Sequence, residues 1–180
     1  MSFLKNFGQK LLLGGGVFFD LTKWVIMLAV IIILVTNFLF SFFIVDGLSM
    51  EPNMHDKELI LLRKNAYNNK DPKRGDIVVV GYPGDPENKK YVKRVIGLPN
   101  EKISIKNGKV YINNVVLHES YISLDVPTRP DGSWNMGNKD FFLMGDNREN
   151  SNDSRYFGAV EKRFFVGQSI GIIYPRFRSF

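Results

Sequence analysis

Residues 24–45 read WVIMLAVIIILVTNFLFSFFIV, and Asp46-Gly47-Leu48-Ser49-Met50-Glu51-Pro52 follows at once. The first stretch is 22 residues long and carries no charge. At about 1.5 Å per residue it makes roughly 33 Å of helix, enough for a hydrocarbon core of about 30 Å. Thr36, Asn37 and Ser41 are its only polar side chains, too few for the polar face of a soluble core helix. A cleaved leader would have an apolar core of about 7–15 residues followed by small residues. Phe42, Phe43 and Ile44 stand where those small residues belong. The reading is one retained transmembrane helix over 24–45, which puts Ser49 at or near a membrane surface.

The flanks set the orientation. Lys5, Lys10 and Lys23 precede the span, so residues 1–23 are expected to stay cytoplasmic and residues 46–180 to face outward. The chain's net charge of +6 is spread thinly, with 21 basic and 17 acidic residues after the span. No run of five like charges occurs, which leaves nucleic-acid binding without support. An anionic lipid surface accounts for the mild basicity. Charged residues at 23% and hydrophobic ones at 44% are ordinary values for an ordered chain. The absence of cysteine removes thiol catalysis, disulfides and thiolate-bound metals together. His55 and His118 are far apart and lack metal-ligand spacing, so no metal is expected.

Beyond the span the pattern is β. Residues 58–63, 76–80, 91–96, 103–105, 110–112, 115–117, 141–144 and 166–174 are short apolar runs rich in β-branched residues. Asn107-Gly108 between two such runs predicts a hairpin, because both central residues of that turn need positive φ. Asn113-Asn114 predicts a second turn, and Tyr82-Pro83-Gly84-Asp85-Pro86 a loop. Residues 119–139, with two prolines and two glycines, read as an extended excursion. The expectation is a mostly β extracytoplasmic domain over 46–180.

Three polar stretches stand out from this frame, and each has two readings. Ser49 suits a helix N-cap, and it equally suits a nucleophile if a base lies within hydrogen-bond reach. Lys93, in Tyr91-Val92-Lys93-Arg94-Val95-Ile96-Gly97, suits a lysine snorkelling from an edge strand. Buried among its same-face neighbours Tyr91 and Val95, it would instead lose charge readily and act as a base. The segment Gly145 to Arg155 suits a solvated loop or a connected network that orients an ammonium.

Taken together, Ser-Met-x-Pro at 49–52, Arg-Gly-Asp at 74–76, Lys-Arg-Val-Ile-Gly at 93–97 and Gly-Asp-Asn…Ser-x-Asp-Ser-Arg at 145–155 make the chain similar to the type I signal peptidases. The resemblance implies a serine endopeptidase of the bacterial plasma membrane that removes signal peptides from secretory preproteins with small residues at −1 and −3. It implies Ser49 as nucleophile, Lys93 as general base and Ser151 as the hydroxyl that hydrogen-bonds the lysine. Asp153 and Arg155 would brace the site, with Asp146, Ser154 and Arg94 around them. The implied fold is a mostly antiparallel, coiled, barrel-like β-sheet, and no cofactor or metal is used. Where some members carry a serine two residues before the nucleophile, this chain has Gly47, so oxyanion stabilisation would fall to the Ser49 N–H and the Gly47 backbone. Met50, Pro52 and the strand holding Ile77 and Val79 are the residues expected to face substrate. Two rivals are a membrane-tethered β domain that binds exported proteins without cutting them, and a self-cleaving repressor-type protease.

Overall fold

The apolar run does not stay helical to its end. In the computed structural model, α1 spans Ser2–Leu39, and Phe40–Ile44 form strand β1. Residues 2–82, 86–87, 89–122 and 126–180 are described, with side chains from Phe19 onward; the expected loop at 82–86 falls largely outside them. The helix expected over 24–45 therefore stops at Leu39. The remaining Phe-Ser-Phe-Phe-Ile is rich in aromatic residues that suit a strand, and it pairs antiparallel with β2. Within α1, Phe19–Leu39 is long and apolar enough to cross a membrane.

Residues 40–180 form a compact unit of their own. Its strands are β1, β2 (Leu59–Arg63), β3 (Ile77–Gly81), β4 (Lys90–Gly97), β5 (Lys102–Lys106), β6 (Lys109–Ile112), β7 (Val115–Val116), β8 (Gly132–Asn135) and β9 (Asp140–Met144). The short helix α2 (Ser154–Phe157), β10 (Val160–Glu161), a 3₁₀ turn at Lys162–Phe164, β11 (Phe165–Tyr174) and β12 (Arg178–Ser179) complete it. The larger sheet runs β1-β2-β11-β3-β4-β9-β10, with β12 added beside β11; the smaller runs β7-β6-β5-β8. Every described pairing is antiparallel, as the family resemblance implies. The larger sheet is open and not a closed barrel.

Local chemistry explains the turns. Asn107 and Gly108 adopt φ of 51° and 76°, the positive pair that a tight hairpin needs, and β5 and β6 pair across them. Asn113 and Asn114 repeat the device at φ 49° and 70°, returning the chain into β7. Strand β8, Gly-Ser-Trp-Asn, lies inside the stretch expected to be irregular and pairs with β5. Gly132 and Asn135 are poor strand formers; pairing along the free side of β5 supplies what they lack.

Alternation sorts the side chains. Ile60 and Leu62 of β2 join Val45, Met50, Met54, Ile77, Val79, Val92 and Ile172 in one buried cluster. Val78, Val80, Val95, Phe141 and Leu143 form a second, and Ile96, Ile103, Ile105, Phe142 and Met144 a third. Strand β4 feeds all three, through Val92, Val95 and Ile96. It sits between β3 and β9, pairing with β3 over Lys90–Arg94 and with β9 over Arg94–Gly97.

Candidate active site

Lys93 lies on that interior strand, opposite Val78 of β3. Its side chain is 2% exposed, which removes the snorkelling alternative. Burial pushes its pKa down from 10.5 to about 8; Asp153 and Asp146 pull it up and Arg155 pulls it down, but burial prevails. The ammonium nitrogen also stands 5.8 Å from the centroid of the Tyr91 ring. Near neutral pH a lysine of this kind has a usable neutral fraction.

Ser49 supplies what faces it. Lys93 Nζ and Ser49 Oγ are 2.8 Å apart. Ser49 is half-buried, so its hydroxyl meets both the lysine and the outside. No helix starts there, and the N-cap alternative falls with it. The chain instead closes a series of turns, with Glu51 N–H donating to Leu48 O, and Asn53 and Met54 N–H to Met50 O. This turn is closed at its base by Val45 N–H to Glu58 O at 2.9 Å and Lys57 N–H to Val45 O at 2.8 Å. Arg178 ties it to the C-terminal strand through Glu58 at 3.1 Å and Asn53 O at 3.3 Å.

The 145–155 segment is a buried network, not a solvated loop. Asp153 is wholly buried; its carboxylate takes Arg155 Nε and Nη2, each at 2.8 Å, and Gly145 N–H at 3.0 Å. It also caps α2 by accepting from Arg155 N–H at 3.2 Å. Asp146 takes a two-pronged contact from Arg94, at 2.8 and 2.6 Å, and Asn53 Nδ2 adds a third at 2.9 Å. The Tyr121 ring lies 4.1 Å from the Arg94 guanidinium carbon. Ser154 has a different part: its hydroxyl accepts the Leu143 N–H at 2.9 Å, tying α2 to β9.

Gly145 is where the segment meets the nucleophile. A methyl group at its α-carbon would collide with the Ser49 carbonyl and the Ser151 hydroxyl, so only glycine fits. Asn147, which sequence reasoning did not single out, donates its N–H to Ser49 O at 3.0 Å and its side-chain amide to Leu48 O at 3.1 Å. Its clasp joins residues nearly a hundred positions apart, and no local pattern announces it.

Several expectations are corrected. Ser151 Oγ is buried and makes no hydrogen bond among the described residues, so the expected bond to Lys93 is not formed. The hydroxyl packs beside Gly145, as that glycine's surroundings show. The Gly47 N–H is already committed to the Asp56 carboxylate at 2.7 Å, which holds that carboxyl below its usual range and withdraws the donor from any oxyanion. Met50, Ile77 and Val79 lie in the first core cluster at 0–2% exposure and present no open surface, while Pro52 is exposed in the turn. Both histidines are exposed; His55 Nδ1 lies 3.4 Å from Glu51, and neither approaches Ser49 by any hydrogen bond. No three His, Cys, Asp or Glu side chains gather to hold a metal among the described residues. A groove of about 680 Å³ beside Tyr67, Asp71 and Lys162 includes none of these residues.

Comparison with known proteins covers the stretch of chain that holds these residues. Positions 18–174 match the family described as "Signal peptidase, peptidase S26". A "Signal peptidase I" of Bacillus amyloliquefaciens is 39% identical over 87% of this chain and 88% of its own. The "Signal peptidase I S" of Bacillus subtilis (strain 168) is 35% identical over 85% and 87%. A solved signal peptidase I from Enterococcus faecalis V583 superposes with a TM-score of 0.48 at 31% identity, covering 55% of this chain and 97% of its own.

Proposed function

The chain belongs to the signal peptidase family, peptidase S26, and on that footing we propose that it is a membrane-anchored serine endopeptidase that removes N-terminal signal peptides from exported preproteins. The observation that carries the reading is the 2.8 Å contact between Ser49 Oγ and a lysine that burial has stripped of much of its affinity for a proton.

The chemistry follows from that pair. Neutral Lys93 accepts the hydroxyl proton as Ser49 Oγ attacks the scissile carbonyl. The Ser49 N–H is the backbone donor for the developing oxyanion, since the Gly47 N–H is engaged elsewhere. The Lys93 ammonium then gives its proton to the departing amine, leaving an ester between Ser49 and the signal peptide. Water, deprotonated by Lys93, hydrolyses that ester and restores the serine. Arginine could not take this place, because its guanidinium does not give up its proton near neutral pH.

Location supports the same reading. Ser49 follows Leu39, the last residue of α1, by ten residues, so an α1 set in the bilayer keeps the nucleophile close to the membrane. Substrate and enzyme then meet in two dimensions, which raises their effective concentration. The lysines at 5, 10 and 23 support a cytoplasmic N-terminus, with residues 46–180 on the outer face of a bacterial plasma membrane. Substrates carry small residues at −1 and −3. Incubating the protein with a secretory precursor and sequencing the mature N-terminus tests the assignment. Ser49→Ala must abolish the cut; an unchanged product from that variant would end it.

A further inference from the structure

A second buried ion pair grips the same loop and has no part in the chemistry above. Arg148 is fully enclosed, and its guanidinium reaches three segments. Nε donates to Gly145 O at 3.1 Å, Nη1 to Thr128 Oγ1 at 2.6 Å and to Glu119 at 3.1 Å, and Nη2 again to Glu119. Burial works against the Arg148 charge; Glu119, with smaller help from Tyr121 and Asp146, offsets it, so the group's pKa is raised overall. Glu119 also accepts from Tyr121 OH at 2.7 Å, and burial keeps that phenol protonated.

Gly145 is thereby held at both ends of its backbone. Asp153, paired with Arg155, takes its N–H; Arg148, paired with Glu119, takes its carbonyl. Its α-carbon leaves no space against Ser49 O and the Ser151 hydroxyl, so a shift of Gly145 is passed directly to the nucleophile. The flanking residues add to the grip, Asp146 through Arg94 and Asn147 through the Ser49 carbonyl. The Arg155 guanidinium meanwhile reaches back to the Arg148 and Arg129 carbonyls. The excursion at 119–130 thus supplies a carboxylate, a hydroxyl, a ring and a carbonyl to three buried arginines.

We propose that Glu119 is a positioning residue for the Ser49–Lys93 pair, acting through Arg148 on the Gly145 carbonyl; the inference rests on the catalytic roles proposed above. Removing Glu119 leaves a buried guanidinium with no counter-charge, which must turn toward water and release Gly145. Water then follows into the site. Around Lys93 stand Asp153, Asp146, Arg155 and Tyr91, and with the dominant burial effect relaxed its pKa rises toward that of a free lysine.

The test uses the full chain in detergent and a peptide substrate with alanine at −1 and −3. Glu119→Ala, Glu119→Gln, Glu119→Asp and Arg148→Lys are compared with wild type, Ser49→Ala and Lys93→Met in the same preparation. Loss of positioning lowers kcat by about ten- to a hundred-fold in Glu119→Ala with KM nearly unchanged. It also moves the acidic, ascending limb of the kcat/KM profile to higher pH, and Glu119→Asp recovers part of both. A Glu119→Ala protein that melts earlier yet keeps wild-type kcat and pH profile overturns the inference, leaving Glu119 as a plain structural staple. If Glu119→Ala does not fold, Glu119→Gln and Arg148→Lys decide by the same two readouts. Cleavage by Ser49→Ala would instead sink the catalytic assignment itself.

Discussion

The backbone N–H of Asn147 donates to the carbonyl of Ser49 at 3.0 Å, fastening the loop that surrounds Lys93 to the turn that carries the nucleophile. Base and nucleophile come from different parts of the chain, and their 2.8 Å separation depends on this junction. The site is a joint between a rigid interior strand and a turn, and its performance is set by how firmly the joint is held.

The first prediction concerns pH. With Lys93 near a pKa of about 8, kcat/KM should rise tenfold per pH unit below that value and level off above it. Stability carries the opposite mark of the same shift. The folded pKa lies below the unfolded 10.5, so the unfolded chain binds the proton more tightly, and the buried lysine destabilises the fold most fully below about 8. The penalty fades as pH rises from 8 to 10.5. Lys93→Met should therefore be more stable than wild type at pH 7, by up to about 3 kcal/mol, with the gap closing above pH 10. Denaturant melts of both proteins across that range check the sign.

At Gly145 there is no room for a side chain. Gly145→Ala must push either the Ser151 hydroxyl or the Ser49 carbonyl aside. Because the second is backbone of the nucleophile, kcat should fall by roughly a hundred-fold while the β domain stays folded. Circular dichroism alongside single-turnover cleavage separates the two effects. Wild-type turnover in this variant would show that the contact has slack.

Asp153 is wholly buried against Arg155. Asp153→Ala leaves that guanidinium without its counter-charge and uncaps α2, and should cost roughly 3–5 kcal/mol of stability. Asp153→Asn keeps the shape but not the charge, so it should fall between the alanine variant and wild type. Thermal unfolding of the three proteins gives the order.

Topology makes a prediction of its own. In sealed right-side-out vesicles, external protease should digest residues beyond Val45 and leave the N-terminal lysines protected. Protection of the β domain in such vesicles would reverse the orientation.

How much of this was legible in the sequence depends on how far each feature reaches. Strands β2 to β6 and the Asn107-Gly108 hairpin announce themselves because alternation and turn chemistry are local. Strand β1 does not: Phe-Ser-Phe-Phe-Ile continues an apolar helix-forming run, and only the presence of β2 beside it tips the balance. Strand β8 hides for the converse reason, since Gly-Ser-Trp-Asn is a strand by virtue of its partner alone. At the site, Ser49, Lys93, Arg94, Asp146, Asp153 and Arg155 could be picked out because their motifs are contiguous. The Glu119–Arg148 pair and the Asn147 clasp join segments distant in sequence, which no window of residues can register. The substrate-facing guesses at Met50, Ile77 and Val79 met the limit of apolar pattern reading: such residues fill a core and line a pocket with the same chemistry.

The central claim is that Lys93 takes the proton from Ser49, and one comparison tests it most directly. A secretory precursor with an Ala-x-Ala site is offered to wild type and to Lys93→Met in the same detergent at pH 8, since methionine keeps the stem's bulk and cannot accept a proton. The account predicts a cut after the second alanine by wild type and none by a folded Lys93→Met. Equal cleavage by both proteins would contradict it and move the base to another residue.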